Sequence, residues 1–525
     1  KLLAALLAVA MVCAMAIPAF AYNTEENLNG THGYSAFQIF KGVISKDNMT
    51  LSNVEWGRNI PHYEDFLAQL KEDPTLKIPF QDADNLQDVL AVISQWSESD
   101  NNSIAFARFV CSYLYPDANA NPKPVYTDHT GGFNIQEPGY YLIVDTTYFN
   151  PGDFYHAYNS FFLLNVPQAP YVVLVNHKVV KPYVEKEVYD NQDGTNEAGF
   201  GSSADHAINE EFQFKLTATL PASPDRAYDY YKEYAVLFND TLSNGITYDR
   251  LDSVVIKSNG IPYDITNDSS MYEVDDSRLE SDHYFVVGIP DVKACGAGLN
   301  LNDGATITVT YTAHLNDNAA VNSTSGSTDN KNKVQLQYSN NPRNSAYWGF
   351  TPESEVRVYT YQLNNTKYRD DDTPGNELAG AGFRLYSDKD CTEEQEIKLK
   401  KNTTDGTYSP YFGADAGDEM FSDEHGQFNV KGLDAGTYYL RETKTPDGYS
   451  ACADKKIVIS ATHTEYNVNL SGESNLNNKI INKKAGGITL PSTGGIGTTI
   501  FYVVGGGLMV AAIVLLVTKK RMENK

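Results

Sequence analysis

The chain has 525 residues and a formal net charge of −26 at pH 7, with 41 Lys and Arg against 67 Asp and Glu. A surface this acidic excludes nucleic acid and anionic lipid as partners, because like charges repel. The length suits about three domains; no HExxH, GxSxG, P-loop or complete GxGxxG motif marks an enzyme, the histidines show no metal spacing, and no cofactor is implied.

Lys1 heads an apolar run from Leu2 to Ile17, and Ala19-Phe20-Ala21 supplies the small residues at −3 and −1 of a signal-peptidase site. Residues 1–21 read as an export signal with a truncated basic start. From roughly Ala83 to Tyr115, Leu86, Val89, Leu90, Ile93 and Trp96 recur at three-to-four spacing and predict helix. Elsewhere, stretches such as Ala305-Thr306-Ile307-Thr308-Val309-Thr310-Tyr311 and Val334-Gln335-Leu336-Gln337-Tyr338 alternate between Asn/Gly/Asp turns. They predict half-buried antiparallel strands. The fold expected is mainly β, tandem Ig-like β-sandwiches with some helix in the N-terminal domain.

Cys13 leaves with the export signal, and without a CxxC pair the remaining cysteines give no zinc site. Cys391 and Cys452 fall in one predicted domain; an oxidising exterior would let them pair, and the sequence leaves pairing and free thiols open. Cys111 and Cys295 lie in different segments and are expected buried and unpaired. Asp370-Asp371-Asp372 reads as a solvated loop, with a calcium site as the alternative. The Asn-x-Ser/Thr triplets at Asn48 and Asn239 read as composition.

The chain closes on Leu490-Pro491-Ser492-Thr493-Gly494-Gly495, an apolar run from Ile500 to Val517, and Lys519, Lys520 and Arg521. About 18 apolar or small residues just cross a bilayer core as a helix, and the basic tail holds its end on the cytoplasmic side. Motif, span and tail together resemble the LPxTG cell-wall sorting signal of Gram-positive surface proteins. The resemblance implies a sortase that cuts between Thr493 and Gly494 and holds the Thr493 carbonyl as a thioester until an amine takes it. Residues 494–525 would then be discarded, and the protein would pass from the plasma membrane to the peptidoglycan of the cell wall.

The units before the signal resemble the three-domain backbone (major) pilins that sortases polymerise. Residues 22–177, with Tyr34-Ser35-Ala36-Phe37-Gln38-Ile39-Phe40-Lys41-Gly42, Leu51-Ser52-Asn53-Val54-Glu55-Trp56-Gly57 and Pro138-Gly139-Tyr140-Tyr141-Leu142-Ile143-Val144, are similar to the N-terminal pilin domain. At the boundary, Tyr171-Val172-Val173-Leu174-Val175-Asn176-His177-Lys178 stands where those pilins keep the pilin motif. His177 takes the place of its usual proline; Lys178 is the implied acceptor amine and Lys181 its rival. Residues 178–355 resemble the isopeptide-forming middle domain, which implies Lys186, Asp240 (in Asp240-Thr241-Leu242-Ser243-Asn244-Gly245) and Asn332. Residues 356–485 carry Leu378-Ala379-Gly380-Ala381-Gly382-Phe383-Arg384-Leu385-Tyr386 and Tyr438-Tyr439-Leu440-Arg441-Glu442-Thr443-Lys444-Thr445-Pro446-Asp447-Gly448-Tyr449. These look like a Cna B-type module, and the implied triad is Lys367, Glu442 and Asn482. Residues 486–525 form the sorting segment.

In water a lysine is protonated and a carboxylate ionised near pH 7; burial disfavours both charges. A neutral lysine can attack an asparagine side chain while a protonated acid polarises its carbonyl. Asp240 and Glu442 are the implied acids, and the bonds 186–332 and 367–482 would form once, without turnover. The expected function is the shaft subunit of a covalent pilus. Its partners are copies of itself, a pilus-specific and a housekeeping sortase, minor pilins, peptidoglycan and any host surface ligand. The alternatives are a wall-anchored adhesin or minor pilin that does not polymerise, and a secreted enzyme.

Overall fold

The computed structural model describes residues 33–523 except 45–50, 97–99, 115–122, 129–131, 146–160, 167–168, 170, 175–180, 192–197, 224–225, 323–329, 343–347, 464–466, 473 and 487–495. The architecture is mainly β. In the first part of the chain a sheet runs in the order Leu51–Trp56, Tyr34–Ile44, Gly139–Asp145, Phe161–Val166, with Tyr126–Asp128 also on Tyr34–Ile44. One of its faces packs Phe37, Phe40, Tyr140 and Leu142 against helices, which contribute Phe66, Leu70, Val89, Phe106 and Val110.

The stretch expected as helix holds two, Leu86–Ile93 and Asn101–Leu114. Leu86, Val89, Leu90 and Ile93 are buried as their spacing requires, and Asn85 caps the first helix by accepting from the Asp88 amide at 3.1 Å. Ser and Asp between the two helices favour turns over helix continuation. Helices Tyr63–Glu72 and Lys77–Phe80 precede them. Phe66, Leu67 and Leu70 had the same helical spacing in the sequence and mark a helix that was not among the expectations.

From residue 183 onward two sheets face one another. One runs Ile261–Asp264, Ile246–Ser258, Ala305–Leu315, Glu211–Leu220, Tyr183–Asp190, Gly199–Gly201. The other contains Ser203–Asp205, Ser354–Tyr359, Asn330–Ser339, Val236–Leu242, Tyr284–Ile289 and Glu273–Arg278. Period-2 alternation decides what lies between them: Phe212, Phe214, Leu216, Ala218 and Leu220 meet Val236, Phe238, Val334 and Leu336 in one core. A second pair of sheets follows. Tyr361–Arg369 lies between Val430–Leu433 and Asn477–Asn482, and Gly382–Tyr386 pairs with Gly436–Lys444 in the facing sheet.

These two bodies meet at a hydrogen-bonded joint. The Ile208 amide donates to the Gly432 carbonyl at 2.9 Å, and Asn209 Nδ2 donates to the Pro410 carbonyl at 2.9 Å. Gly432 has φ +84°, and a Cβ there would sit 2.4 Å from Ile208, so the joint needs glycine at this point.

A helix spans Ile496–Glu523, and Leu508, Met509, Ile513, Leu515 and Leu516 are exposed on it. Among the described residues no helix is long and apolar enough to cross a membrane.

Two buried lysine–acid–asparagine clusters

Six of the side chains singled out in the sequence converge in two groups of three. Each stands at an inward position of its strand. Lys186 shares the core face of Tyr183–Asp190 with Val188, Asp240 that of Val236–Leu242 with Phe238, and Asn332 that of Asn330–Ser339 with Val334. The side chains of Lys186 and Asp240 are fully buried, and so is Asn332. Asp240 and Asn332 are on neighbouring strands, with Leu242 opposite Asn332, while Lys186 reaches them from the facing sheet.

Lys186 Nζ is ion-paired with Asp240 Oδ2 and lies 5.2 Å from the Phe214 ring centroid. Tyr311 ties the group together. Its hydroxyl accepts from Lys186 Nζ at 3.0 Å and from Asn332 Nδ2 at 2.6 Å, and donates to Asp240 Oδ1 at 3.2 Å. Asn332 Oδ1 has no hydrogen-bond partner among the described residues. Burial drives the Lys186 ammonium down to about 8 against the opposing pull of Asp240, and burial likewise raises the Asp240 carboxyl despite Lys186. Both shifts favour the uncharged partners. Tyr311 stands in the inward row of Ala305–Leu315 with Ile307 and Val309. In the sequence that row shows only strand alternation, with a phenol among aliphatic inward positions as its one signal.

We expect Tyr311→Phe to leave the core packed and to slow any Lys186–Asn332 reaction by about tenfold or more, since a buried charge-assisted hydrogen bond is removed. Timed mass spectrometry of the refolding chain measures this, and an unchanged rate would show that the hydroxyl does not position the group.

In the second group Lys367 occupies the inward row of Tyr361–Arg369 and Asn482 that of Asn477–Asn482. These strands are parallel neighbours, with Lys367 opposite Ile480. Lys367 Nζ donates to Asn482 Oδ1 at 2.5 Å and stands 3.4 Å from Glu442 Oε1. Asn482 Nδ2 donates to the same Glu442 oxygen at 2.6 Å, and Glu442 Oε2 accepts from the Cys452 amide at 2.9 Å. The Lys367 and Glu442 side chains are fully buried. Gly426, at φ +71°, closes over the lysine strand, and a Cβ there would lie 2.4 Å from the Lys367 carbonyl oxygen.

The pairing considered for Cys391 and Cys452 is corrected: both are free thiols. Cys391 Sγ faces Asp454 Oδ2 at 3.9 Å, whereas Cys452 Sγ faces Lys367 Nζ at 3.6 Å. The thiols are committed to different surroundings, and burial raises the pKa of each. Cys111 and Cys295 are buried in separate cores. The Asp370–Asp372 loop is held by its own contacts, Lys479 with Asp372 at 2.8 Å and the Lys484 amide to Asp370 Oδ1 at 2.9 Å. Lys181 is half-buried. Lys178 and the motif Leu490, Pro491, Ser492, Thr493 and Gly494 lie outside the described residues, as does the export signal.

Residues 364–474 match the SpaA prealbumin-like fold domain, and residues 482–524 match the LPXTG cell wall anchor motif. No curated protein matches the chain. Among solved structures it is similar to the T6 backbone pilin of serotype M6 Streptococcus pyogenes, at 16% identity over 88% of this chain and 97% of that one, TM-score 0.49. It is also similar to the full-length major pilin SpaD of Corynebacterium diphtheriae, at 16% identity over 89% and 95%, TM-score 0.41. A third is the group B streptococcus pilus 2b backbone protein, at 22% identity over 58% and 99%, TM-score 0.40.

Proposed function

We propose that this LPXTG cell-wall-anchored chain with a SpaA prealbumin-like domain is the repeating shaft subunit of a covalent surface pilus. A pilus-specific sortase joins the Thr493 carbonyl of one copy to Lys178 of the next, a housekeeping sortase passes the finished polymer to peptidoglycan, and minor pilins join the same polymer. The apolar run 500–517 holds the precursor in the membrane until cleavage. The observation that carries this reading is the recurrence of a buried Lys–acid–Asn cluster in two successive sandwich bodies.

Each cluster closes a bond between strands distant in sequence. The lysine nitrogen attacks the asparagine Cγ, a C–N bond forms, and the side-chain nitrogen leaves as ammonia with the proton that the amine gives up. The acid carries that proton to the leaving nitrogen. Permanent juxtaposition in the core supplies effective molarities on the order of 10⁵ M, enough for an unactivated amide to react once. A buried ion pair alone would contribute little to stability after desolvation, so the clusters are better explained as reactants than as struts.

Placement gives them a mechanical use. Tension between Lys178 and Thr493 enters and leaves outside both crosslinks, so most of each sandwich is bypassed by covalent bonds. Residues 22–177 hang outside the load path.

The Lys186–Asp240 pair also fixes a pH dependence. The ion pair and the neutral pair hold the same single proton, so their ratio does not change with pH. The rate of bond formation is therefore flat until the pair loses that proton, and falls above about 8, the value to which burial lowers Lys186. Refolding the unreacted chain from inclusion bodies at set pH, with ammonia loss read by mass, gives the profile. A rate still rising well above that pH would remove Asp240 as the proton donor.

Mass spectrometry of crosslinked peptides from the native polymer tests the whole reading, through peptides joining 493 to 178, 186 to 332 and 367 to 482. Intramolecular links without the first would instead describe an adhesin attached singly to the wall.

A further inference from the structure

At the joint between the two sandwich bodies, Asp190 and Asp205 from one and His463 from the other bring three ligand atoms within 4.8 Å of one another. The three side chains are almost wholly buried, at 8%, 0% and 7% exposure. His463 Nε2 lies 3.3 Å from Asp190 Oδ2 and 3.5 Å from Asp205 Oδ1, yet neither Nε2 nor Asp205 Oδ1 has a hydrogen-bond partner among the described residues. The other atoms of the group are occupied. Ser203 Oγ is 2.8 Å from His463 Nδ1, Tyr361 donates to Asp205 Oδ2 at 2.7 Å, and the Asp205 amide donates to Asp190 Oδ1 at 3.1 Å.

We propose that Asp190, Asp205 and His463 bind a divalent cation of the zinc class, clamping the two bodies together. A charge-assisted hydrogen bond from an imidazolium to a carboxylate is about 2.7–2.9 Å long, and both separations exceed that. They match instead the ligand–ligand edges of a tetrahedral centre, about 3.3–3.6 Å when each metal–ligand bond is near 2.0–2.2 Å. In the tautomer whose Nδ1–H donates to Ser203 Oγ, the imidazole presents its Nε2 lone pair to the carboxylates, the orientation a metal-bound histidine needs, and a bound cation would displace the proton that, despite burial, the two aspartates otherwise favour on this ring. Tyr361 and the Asp205 backbone hold the carboxylates in the same way. One imidazole and two carboxylates fit zinc, whereas calcium takes six to eight oxygens. The neighbouring His206–Glu210–Asp434 group is more open, and Asn191 already donates to both of its carboxylates, so it is not part of the proposal.

Metal binding here is independent of the pilus reading; only its mechanical consequence rests on the proposed crosslinks. It would connect two segments that the proposed crosslinks leave out of the axial load path, so its effect is on bending at the joint rather than on tensile strength.

The test uses untagged protein stripped with EDTA, titrated with ZnCl2 and freed of excess by gel filtration. Wild type is expected to retain one zinc per chain, and His463→Ala and Asp205→Asn to lose it. Ser203→Ala is expected to bind about 10–100-fold more weakly, because it removes only the group that orients the histidine. Cobalt(II) in place of zinc should give the visible absorption of a tetrahedral site in wild type and not in His463→Ala. CaCl2 alone should leave no retained metal. Wild type that retains no zinc, or the same amount as His463→Ala, overturns the proposal. Because the wild-type titration decides the question, misfolding of a variant cannot rescue it.

Discussion

The intact exported protein is expected to weigh less than its sequence by two ammonia masses, one for each buried cluster. Glu442→Gln keeps the size of the side chain but removes the acid that contacts both Lys367 and Asn482, and it restores one of the two masses. Asp240→Asn restores the other. The loss in stability is large, because Lys367 and Asn482 are 115 residues apart. By the chain-entropy argument used for disulfides, a crosslink closing a loop of that length contributes about 5 kcal/mol. For a domain of this size that is on the order of 20 °C in midpoint. Calorimetry of wild type and Glu442→Gln measures it. A wild-type mass equal to the sequence mass removes both bonds, and an unchanged midpoint in a variant that lacks its bond removes the stabilising role.

Part of the arrangement was legible because an inward strand position is expected to be apolar. Asp240 stands in the inward row of its strand with Val236, Phe238 and Leu242, whereas Lys367 follows the buried Asn365 and Asn482 shares its row with Asn478, so the resemblance to the pilin motifs singled these residues out more than the alternation did. The order Lys–acid–Asn is a sequence property, and strand pairing then brings first and last strands together. What could not be read were the partners outside the two triads. Tyr311 is on a strand whose alternation is satisfied with or without its hydroxyl, and nothing local shows that it meets Asp240 from the opposite sheet. The same holds for Cys391 and Cys452. Sharing a domain gave them the opportunity to pair, while Asp454 and Lys367 decide where each thiol points. His463 and Asp205 are 258 residues apart, and only the joint between two bodies makes them neighbours.

Lys178→Arg is expected to abolish the ladder of covalent polymers on a denaturing gel when the chain is coexpressed with its pilus sortase. The argument is chemical. The thioester at Thr493 is resolved by an amine that must shed its proton, and a guanidinium keeps its proton at any pH the cell reaches. Arginine preserves charge and length, so folding and cleavage at Thr493 should continue and monomer should accumulate on the wall. Lys181 provides the control. It is half-buried and followed by Pro182 and the strand Tyr183–Asp190, an anchored position that suits an amine entering a sortase cleft poorly. Lys181→Arg should therefore leave the ladder intact. If the ladder survives Lys178→Arg and disappears with Lys181→Arg, the acceptor moves three residues along the chain while the load path still encloses both crosslinks. If it survives in the double variant, the linkage begins elsewhere, and the argument that tension bypasses both sandwiches fails with it.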